Sequence, residues 1–212
     1  MAMHCPEAEE RRVKEEDDEL LEQYLERFGS SLALASRLGL GDYHYELPQV
    51  IGNLLARQVP QRSARILDAG AGTGSGGAFL KELGYTNIYA IDISPQALEQ
   101  ARARGIYVEL HPMTLGEELS FPDDYFDGVI SVGVMGLAPP WSLDELIRVT
   151  RRGGCIVFSI GITRYRRDGF KEKQALLERE GRWRLVERTD PLSSPPGYDP
   201  SAFCYVFVYQ VL

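Results

Sequence analysis

The stretch Ile66-Leu67-Asp68-Ala69-Gly70-Ala71-Gly72-Thr73-Gly74 constrains the fold more than any other part of the 212-residue chain. An apolar strand runs into a turn almost free of side chains, and Ser75 opens a helix. Glycines at alternate positions tolerate positive φ and let the backbone approach a ligand closely. The helix N-terminus behind them offers unpaired N–H groups and a partial positive charge. Eighteen residues after Gly74, the apolar run Ile88-Tyr89-Ala90-Ile91 ends at Asp92. A carboxylate at that point of a βαβ unit is placed to accept hydrogen bonds from two ribose hydroxyls.

Two ligand classes compete for such a site. A dinucleotide loop has the spacing G-x-G-x-x-G and turns a helix N-terminus toward a pyrophosphate. Here the third glycine comes one residue early, and Asp68 stands before the turn, where a carboxylate disfavours a pyrophosphate. A ligand with a ribose and a cationic amino-acid end suits Asp68 and Asp92 better. A glycine turn with no ligand is the bland alternative, but it costs chain entropy without a use. Leu-Asp-x-Gly-x-Gly-x-Gly, followed by an acid after the second strand, closely resembles the class I S-adenosylmethionine (SAM) methyltransferases. The resemblance implies SAM as cofactor and S-adenosylhomocysteine as its product. The implied cofactor contacts are Asp68, Ala69, Gly70, Gly72, Thr73, Gly74, Asp92, Ile93, Met113, Thr114, Leu115 and Val132.

The length suits one full α/β core and is short for two ordinary domains. With 44% hydrophobic and 25% charged residues, the composition is that of a globular protein. No apolar run approaches the roughly 20 residues of a membrane span, and the N-terminus shows no signal-peptide core. Cys5, Cys155 and Cys204 are odd in number and lack metal-ligand spacing. Reduced thiols, a cytoplasmic location and no metal are therefore expected. Residues 1–28 carry ten acidic against four basic side chains, so most of the net charge of −8 resides there. An acidic balance argues against a nucleic-acid partner. Residues 1–44 are expected to form an acidic helical extension, with Leu20, Leu21, Tyr24, Leu25 and Phe28 at helical spacing.

Domain 45–212 follows. Before it, Asp42-Tyr43-His44-Tyr45-Glu46 concentrates polar aromatic side chains, either as pocket lining or as a helix-packing corner. Leu47, Val50, Ile51, Leu54 and Leu55 form the stripe of a helix that opens at Pro48 and stops before Pro60. The spacing then predicts a helix over 75–83, a strand to Ile93, and a helix begun by Ser94-Pro95 and stopped by Gly105. A third strand is expected over 106–110 and a fourth over 126–134. Ser142-Leu143-Asp144-Glu145 has the capping-box pattern, opening a helix that ends near Arg152. Gly153-Gly154 should turn into a fifth strand over 155–160. A short helix over 171–180 precedes a sixth strand over 182–188, and a seventh runs over 203–211.

This alternation predicts a single-domain α/β fold. By resemblance it is the Rossmann-like, seven-stranded methyltransferase fold: a mostly parallel sheet of order 3-2-1-4-5-7-6, one antiparallel strand, and helices on both faces. More narrowly, Asp92-Ile93-Ser94-Pro95-Gln96-Ala97-Leu98-Glu99-Gln100-Ala101, Met113 to Leu119, and Asp144 to Thr150 resemble the Williams–Beuren-region methyltransferase-like family. Two departures stand out. Many relatives place an acid after the third strand to meet the adenine amino group, where this chain has Met113 and Thr114. The Tyr-Asp pair common in the N-terminal segment of relatives has no match here.

Methyl transfer from a sulfonium is an in-line displacement, so alignment supplies much of the rate. A base is needed only where the nucleophile must lose a proton. His111, His44 and Tyr43 are the candidate catalytic groups. Ala138-Pro139-Pro140-Trp141 resembles the Asp/Asn-Pro-Pro-aromatic motif of amino-group methyltransferases, but Ala138 has no acceptor for an amine. It reads as a turn with an aromatic pocket wall. Arg164, Arg166, Arg167, Lys171 and Lys173 read as solvated surface before an anionic clamp. The expected acceptor is a small molecule; the rival is a SAM-binding regulatory or scaffold protein without transferase activity.

Overall fold

A computed structural model describes residues 47–190, 192 and 204–212. The expected acidic extension, with Tyr43 and His44, lies outside the described residues. Helix α1 (Leu47–Gln58) leads to β1 (Arg65–Ala69), α2 (Ser75–Glu82), β2 (Asn87–Asp92), α3 (Pro95–Ala103) and β3 (Glu109–Pro112). Then come β4 (Phe126–Ser131), α4 (Ser142–Val149), β5 (Thr150–Gly161), α5 (Ile162–Arg167), α6 (Phe170–Arg179), β6 (Trp183–Arg188) and β7 (Cys204–Val211).

The seven strands form one sheet of order β3-β2-β1-β4-β5-β7-β6. All pairings are parallel except those of β7, which runs antiparallel to both β5 and β6. Successive strand residues point to opposite faces, and both faces are covered in the middle of the sheet, so β1, β2, β4 and most of β5 and β7 are buried while the edge strands β3 and β6 carry exposed charged residues. On one face, Leu67, Tyr89, Ile91, Val129, Ile156 and Phe158 pack with Leu143 and Leu146 of α4 and Phe170 and Leu177 of α6. On the other, Ile66, Ile88, Ile130 and Val157 pack with Ile51, Leu54 and Leu55 of α1 and Leu80 of α2. Helix α1 comes close because Gly52 has no side chain: a Cβ there would stand 2.5 Å from Phe79.

Several boundaries differ from expectation, each for a local reason. Strand β3 starts at Glu109 rather than 106, because Tyr107 turns inward beneath α2 and the pairing with β2 begins only at Tyr89. Strand β2 stops at Asp92, whose carboxylate folds back onto the glycine turn, and leaves Ile93 69% exposed. Strand β4 stops at Ser131, since the chain turns at Gly133 with φ 71°. Gly153-Gly154 lies inside β5, not before it. Between the pairs Phe126↔Thr150 and Gly128↔Cys155, β5 accommodates extra residues as an irregularity. A Cβ on Gly154 would meet the Asp127 carbonyl at 2.9 Å.

The capping box is not formed. Trp141 occupies the α4 N-cap without a side-chain bond, and the Ser142 hydroxyl donates to the Pro139 carbonyl at 2.6 Å. Glu145 reaches sideways instead and accepts the Leu119 N–H at 2.9 Å. The basic stretch from Arg164 to Lys173 spans α5 and the start of α6, and its Arg164 pairs with Asp168 one turn on, at 2.9 Å.

Candidate functional site

Strand order reverses between β1 and β4, and the loops leaving the C-terminal ends of β1, β2 and β4 converge there. Gly70, Gly72 and Gly74 have φ of 77°, 54° and 90°, which side-chain-bearing residues rarely adopt. The turn's N–H groups are largely spent inside the protein. Gly70 and Ala71 both donate to the Ile91 carbonyl, at 2.8 and 2.9 Å, and Gly74 donates to Ala71 at 2.9 Å. Gly72 donates to Asp92 Oδ2 at 2.8 Å. The glycines thus supply shape more than donors, which is the wrong provision for a pyrophosphate and a suitable one for a ribose-bearing ligand.

Asp92 is held from two sides. Oδ2 accepts from Gly72 and Oδ1 accepts from the Ser94 N–H at 2.9 Å. A carboxylate has about four acceptor positions, so each oxygen retains capacity for a hydroxyl. Ser94 also caps α3, its hydroxyl accepting from Ala97 at 3.2 Å. The oriented carboxylate beside the exposed Ile93 fits a nucleoside: hydroxyl acceptors next to an apolar surface.

Asp68 is 1% exposed, an interior group more than a ligand-facing one. Its Oδ2 accepts from the Gly77 N–H in the first turn of α2 at 2.9 Å, and from the Tyr107 hydroxyl at 2.7 Å. Burial pushes its carboxyl up to about 6, against the pull of the Tyr107 and Gly77 hydrogen bonds. Burial, and then the Asp68 charge, push the Tyr107 phenol far above its ordinary range, so it keeps its proton and donates.

The remaining expected contacts divide. Ala69 is fully buried in the core, so only its backbone can face the turn. Thr73 has its carbonyl bonded by Arg104 Nε at 2.6 Å. Met113, Thr114 and Leu115 follow β3, half-buried, with Met113 N bonded to the Asp92 carbonyl at 3.2 Å. Val132 lies against α2, within 3.2 Å of where a Gly76 Cβ would be.

His111 leaves the sheet on the opposite face from Asp92. Its register partner Ile91 faces the α4 side, and its ring meets Phe121 edge-on with centroids 5.5 Å apart. Its Nε2 lies 2.8 Å from Glu109 Oε2. Tyr107 and Arg104 escaped the sequence reading because they lie ahead of β3. The signal was the further pair Gly76-Gly77 inside a helix, a gap that a bulky side chain can fill.

Ala138 to Trp141 does form a turn, with Ser142 N donating to the Pro139 carbonyl at 3.0 Å. Trp141 is 61% exposed, and its indole N–H donates to the Gly116 carbonyl at 3.1 Å. Gly116 has φ 100°, and a Cβ there would stand 2.5 Å from Pro139. The loops after β3 and β4 are therefore in direct contact.

Residues 66–154 match the family model of a methyltransferase domain. That stretch is a class I SAM-dependent methyltransferase domain, a family whose cofactor is S-adenosylmethionine. Within it, the chain is similar to human methyltransferase-like protein 27, the Williams–Beuren-region relative. The two are 36% identical over 150 residues, covering 66% of this chain and 60% of that one. A demethylmenaquinone methyltransferase of Clavibacter sepedonicus is 39% identical over 102 residues, 46% of this chain and 41% of its own. The chain thus spans about half the length of the curated relatives it matches. The same fold occurs in a TehB-like SAM-dependent methyltransferase from Corynebacterium glutamicum. Its TM-score is 0.61 at 22% identity, covering 90% of this chain and 97% of that one.

Proposed function

We propose that the protein transfers a methyl group from SAM to a small-molecule acceptor. The observation that carries the reading is the Asp92 carboxylate, fixed by the Gly72 and Ser94 N–H groups beside the exposed Ile93. Asp92 would accept the ribose hydroxyls, Ile93, Met113 and Leu115 would pack on the base, and the turn 70–74 would leave room for the amino-acid end. SAM supplies an electrophilic methyl group when bound. The chain's own contribution is to hold an acceptor in line with that methyl and to exclude water.

His111 is turned away, so no imidazole among the described residues supports a base mechanism, and alignment carries the rate. A small acceptor is favoured by the residues after β4, where Leu137 and Trp141 present apolar surface. Two of the nearby cations are paired, Arg164 with Asp168 and Lys173 with Asp144 at 2.6 Å, which reduces the positive surface open to a nucleic-acid track. No helix among the described residues is long and apolar enough to cross a membrane.

The test follows radiolabelled methyl from SAM into the small-molecule, protein and RNA fractions of a cell extract. Label in the small-molecule fraction, lost with Asp92→Ala, is the expected result. Label in protein or RNA instead overturns the acceptor class. SAM binding with no transfer to any fraction would favour a regulatory or scaffold role.

A further inference from the structure

Tyr107 belongs to neither the glycine turn nor the strand end, yet the turn is built around it. Its hydroxyl donates to Asp68 Oδ2 at 2.7 Å, on the same oxygen that receives the Gly77 N–H. An ideal Cβ at Gly77 would stand 2.3 Å from the Tyr107 hydroxyl, and one at Gly74 would stand 3.1 Å from its ring. A Cβ at Gly76 would lie 3.1 Å from Asp68 Oδ2. The space left at Gly74 and Gly77 is therefore taken chiefly by the Tyr107 phenol, and that at Gly76 by the Asp68 carboxylate with Ile130 and Val132. Arg104, three residues earlier, grips the Thr73 carbonyl from the same side.

We propose that Tyr107 is a positioning residue for cofactor binding: by donating to Asp68 it keeps that carboxylate ionised and so anchors the first turn of α2 and the glycine turn leading into it. The proposal rests on the reading that the turn binds SAM. A buried carboxylate with one donor fewer is harder to ionise. Its protonated form is a weaker acceptor for the Gly77 N–H, and the positive end of α2 loses its anionic partner. The groups that face Asp68 are few. Tyr107 comes from the segment after α3, the Gly77 N–H from α2, and the Asp92 charge from the end of β2, which disfavours ionisation further. Ile130 and Val132 bring only apolar atoms to the Gly76 position. Arg104 lies on the far side of Tyr107 and favours a phenolate there, too weakly to remove the proton.

The experiment measures S-adenosylhomocysteine affinity by calorimetry from pH 5.5 to 9 for the parent, Tyr107→Phe and Gly77→Ala. Tyr107→Phe keeps the ring; Gly77→Ala keeps the tyrosine but drives its hydroxyl off the carboxylate. Parent affinity should fall on acidification with a midpoint near 6, where Asp68 takes up its proton. Both variants should bind about 5- to 20-fold more weakly than the parent at pH 6.5 and within about 2-fold of it at pH 9, as expected when a carboxyl titrates one to two units higher. Titration of the ligand's own groups cancels in the ratio. A purely packing role for Tyr107 gives a ratio that does not change with pH, and that result overturns the proposal. If neither variant folds, parent affinity that is flat across pH 5.5–7.5 overturns it equally. Parent protein that binds no S-adenosylhomocysteine at any pH overturns the cofactor reading, and this proposal with it.

Discussion

At the scale of single residues, the proposed function turns on Asp92. Its two oxygens each hold one backbone N–H, so the carboxylate is oriented before any ligand arrives. Hydrogen bonds to a charged group contribute roughly 1.5–3 kcal/mol each, and two on one side chain do not add fully. Asp92→Ala is therefore expected to weaken SAM and S-adenosylhomocysteine alike by about 10- to 1,000-fold. Because the variant also frees the Gly72 N–H, a loosened turn must be separated from a lost contact. The 2′-deoxyribose analogue does this: it should lose much less in the variant than the ribose ligand does, and equal losses would refute the ribose assignment. Gly72→Val tests the turn itself. With φ 54° at Gly72, a branched side chain is strained and fills ligand space, so calorimetry should show near-abolished SAM binding in a folded protein. The position of Asp92, at the end of β2 and against the glycine turn, was legible in the sequence because strand end, turn and acid follow at a set spacing. Asp68 was legible as important but not in its role, since only burial shows that it faces inward. Tyr107 was not legible, because what it touches lies 39 positions back along the chain at Asp68.

At the scale of elements, the long segment between β3 and β4 is held by Arg148 of α4, which pairs with Glu145 beside it and with Asp123 of the segment at 2.8 Å. Arg148 Nη2 meets Glu145 Oε2 at 2.7 Å and also donates to the Leu119 carbonyl, while Nη1 donates to the Phe121 carbonyl. Glu145 takes the Leu119 N–H in return. Both side chains are about three-quarters covered, so the pair is less screened than a surface bridge. The Arg148 guanidinium holds the Glu145 carboxyl below its ordinary 4.5. A depressed folded-state value means that the contribution is present above pH 4.5 and is lost as pH falls through the lower value. Glu145→Gln should cost about 1–3 kcal/mol in urea unfolding at pH 7. The gap between parent and variant should narrow as pH drops below 4.5; a gap constant from pH 7 to pH 3 would refute the ion-pair account. Glu145 also marks where element-level reading stops. The pattern Ser142 to Glu145 is that of a local cap, but Leu119 offers the same carboxylate a buried N–H from 26 positions away. The strand ends at Asp92 and Ser131 are likewise set by contacts made across the chain or at a turn, the Asp92 carboxylate on the glycine turn and the left-handed Gly133, which periodicity along one chain does not show.

Across the whole molecule, Trp183 and the glycine turn lie at opposite ends of the sheet, so a substitution at Trp183 is expected to change stability without changing binding. Trp183, the first residue of β6, is 1% exposed and stacks on Tyr209 with centroids 3.8 Å apart and planes 14° off parallel. Phe158 of β5 stacks on the same pair, and the Trp183 N–H donates to the Gln174 carbonyl of α6 at 3.3 Å. One side chain thus joins β6, β7, β5 and α6. The strand register locates it. Trp183 pairs with Val211, and the adjacent Gln210 pairs with Cys155, which pairs with Gly128, itself opposite Ile66 near the start of β1. The glycine turn leaves the other end of β1, after Ala69. Trp183→Ala should cost about 3–5 kcal/mol, since it removes a large buried side chain. For a chain of this length that corresponds to roughly 6–20 °C in melting temperature. Trp183→Phe keeps the stack and loses the N–H bond, so it should fall between parent and alanine variant. Measured well below the melting temperature, S-adenosylhomocysteine affinity should stay within about 2-fold of the parent in both variants, because no contact of Trp183 reaches the turn. A ligand affinity that falls in step with stability would mean that the two ends of the sheet are coupled, and the division of the molecule into a stabilising end and a binding end would have to be abandoned.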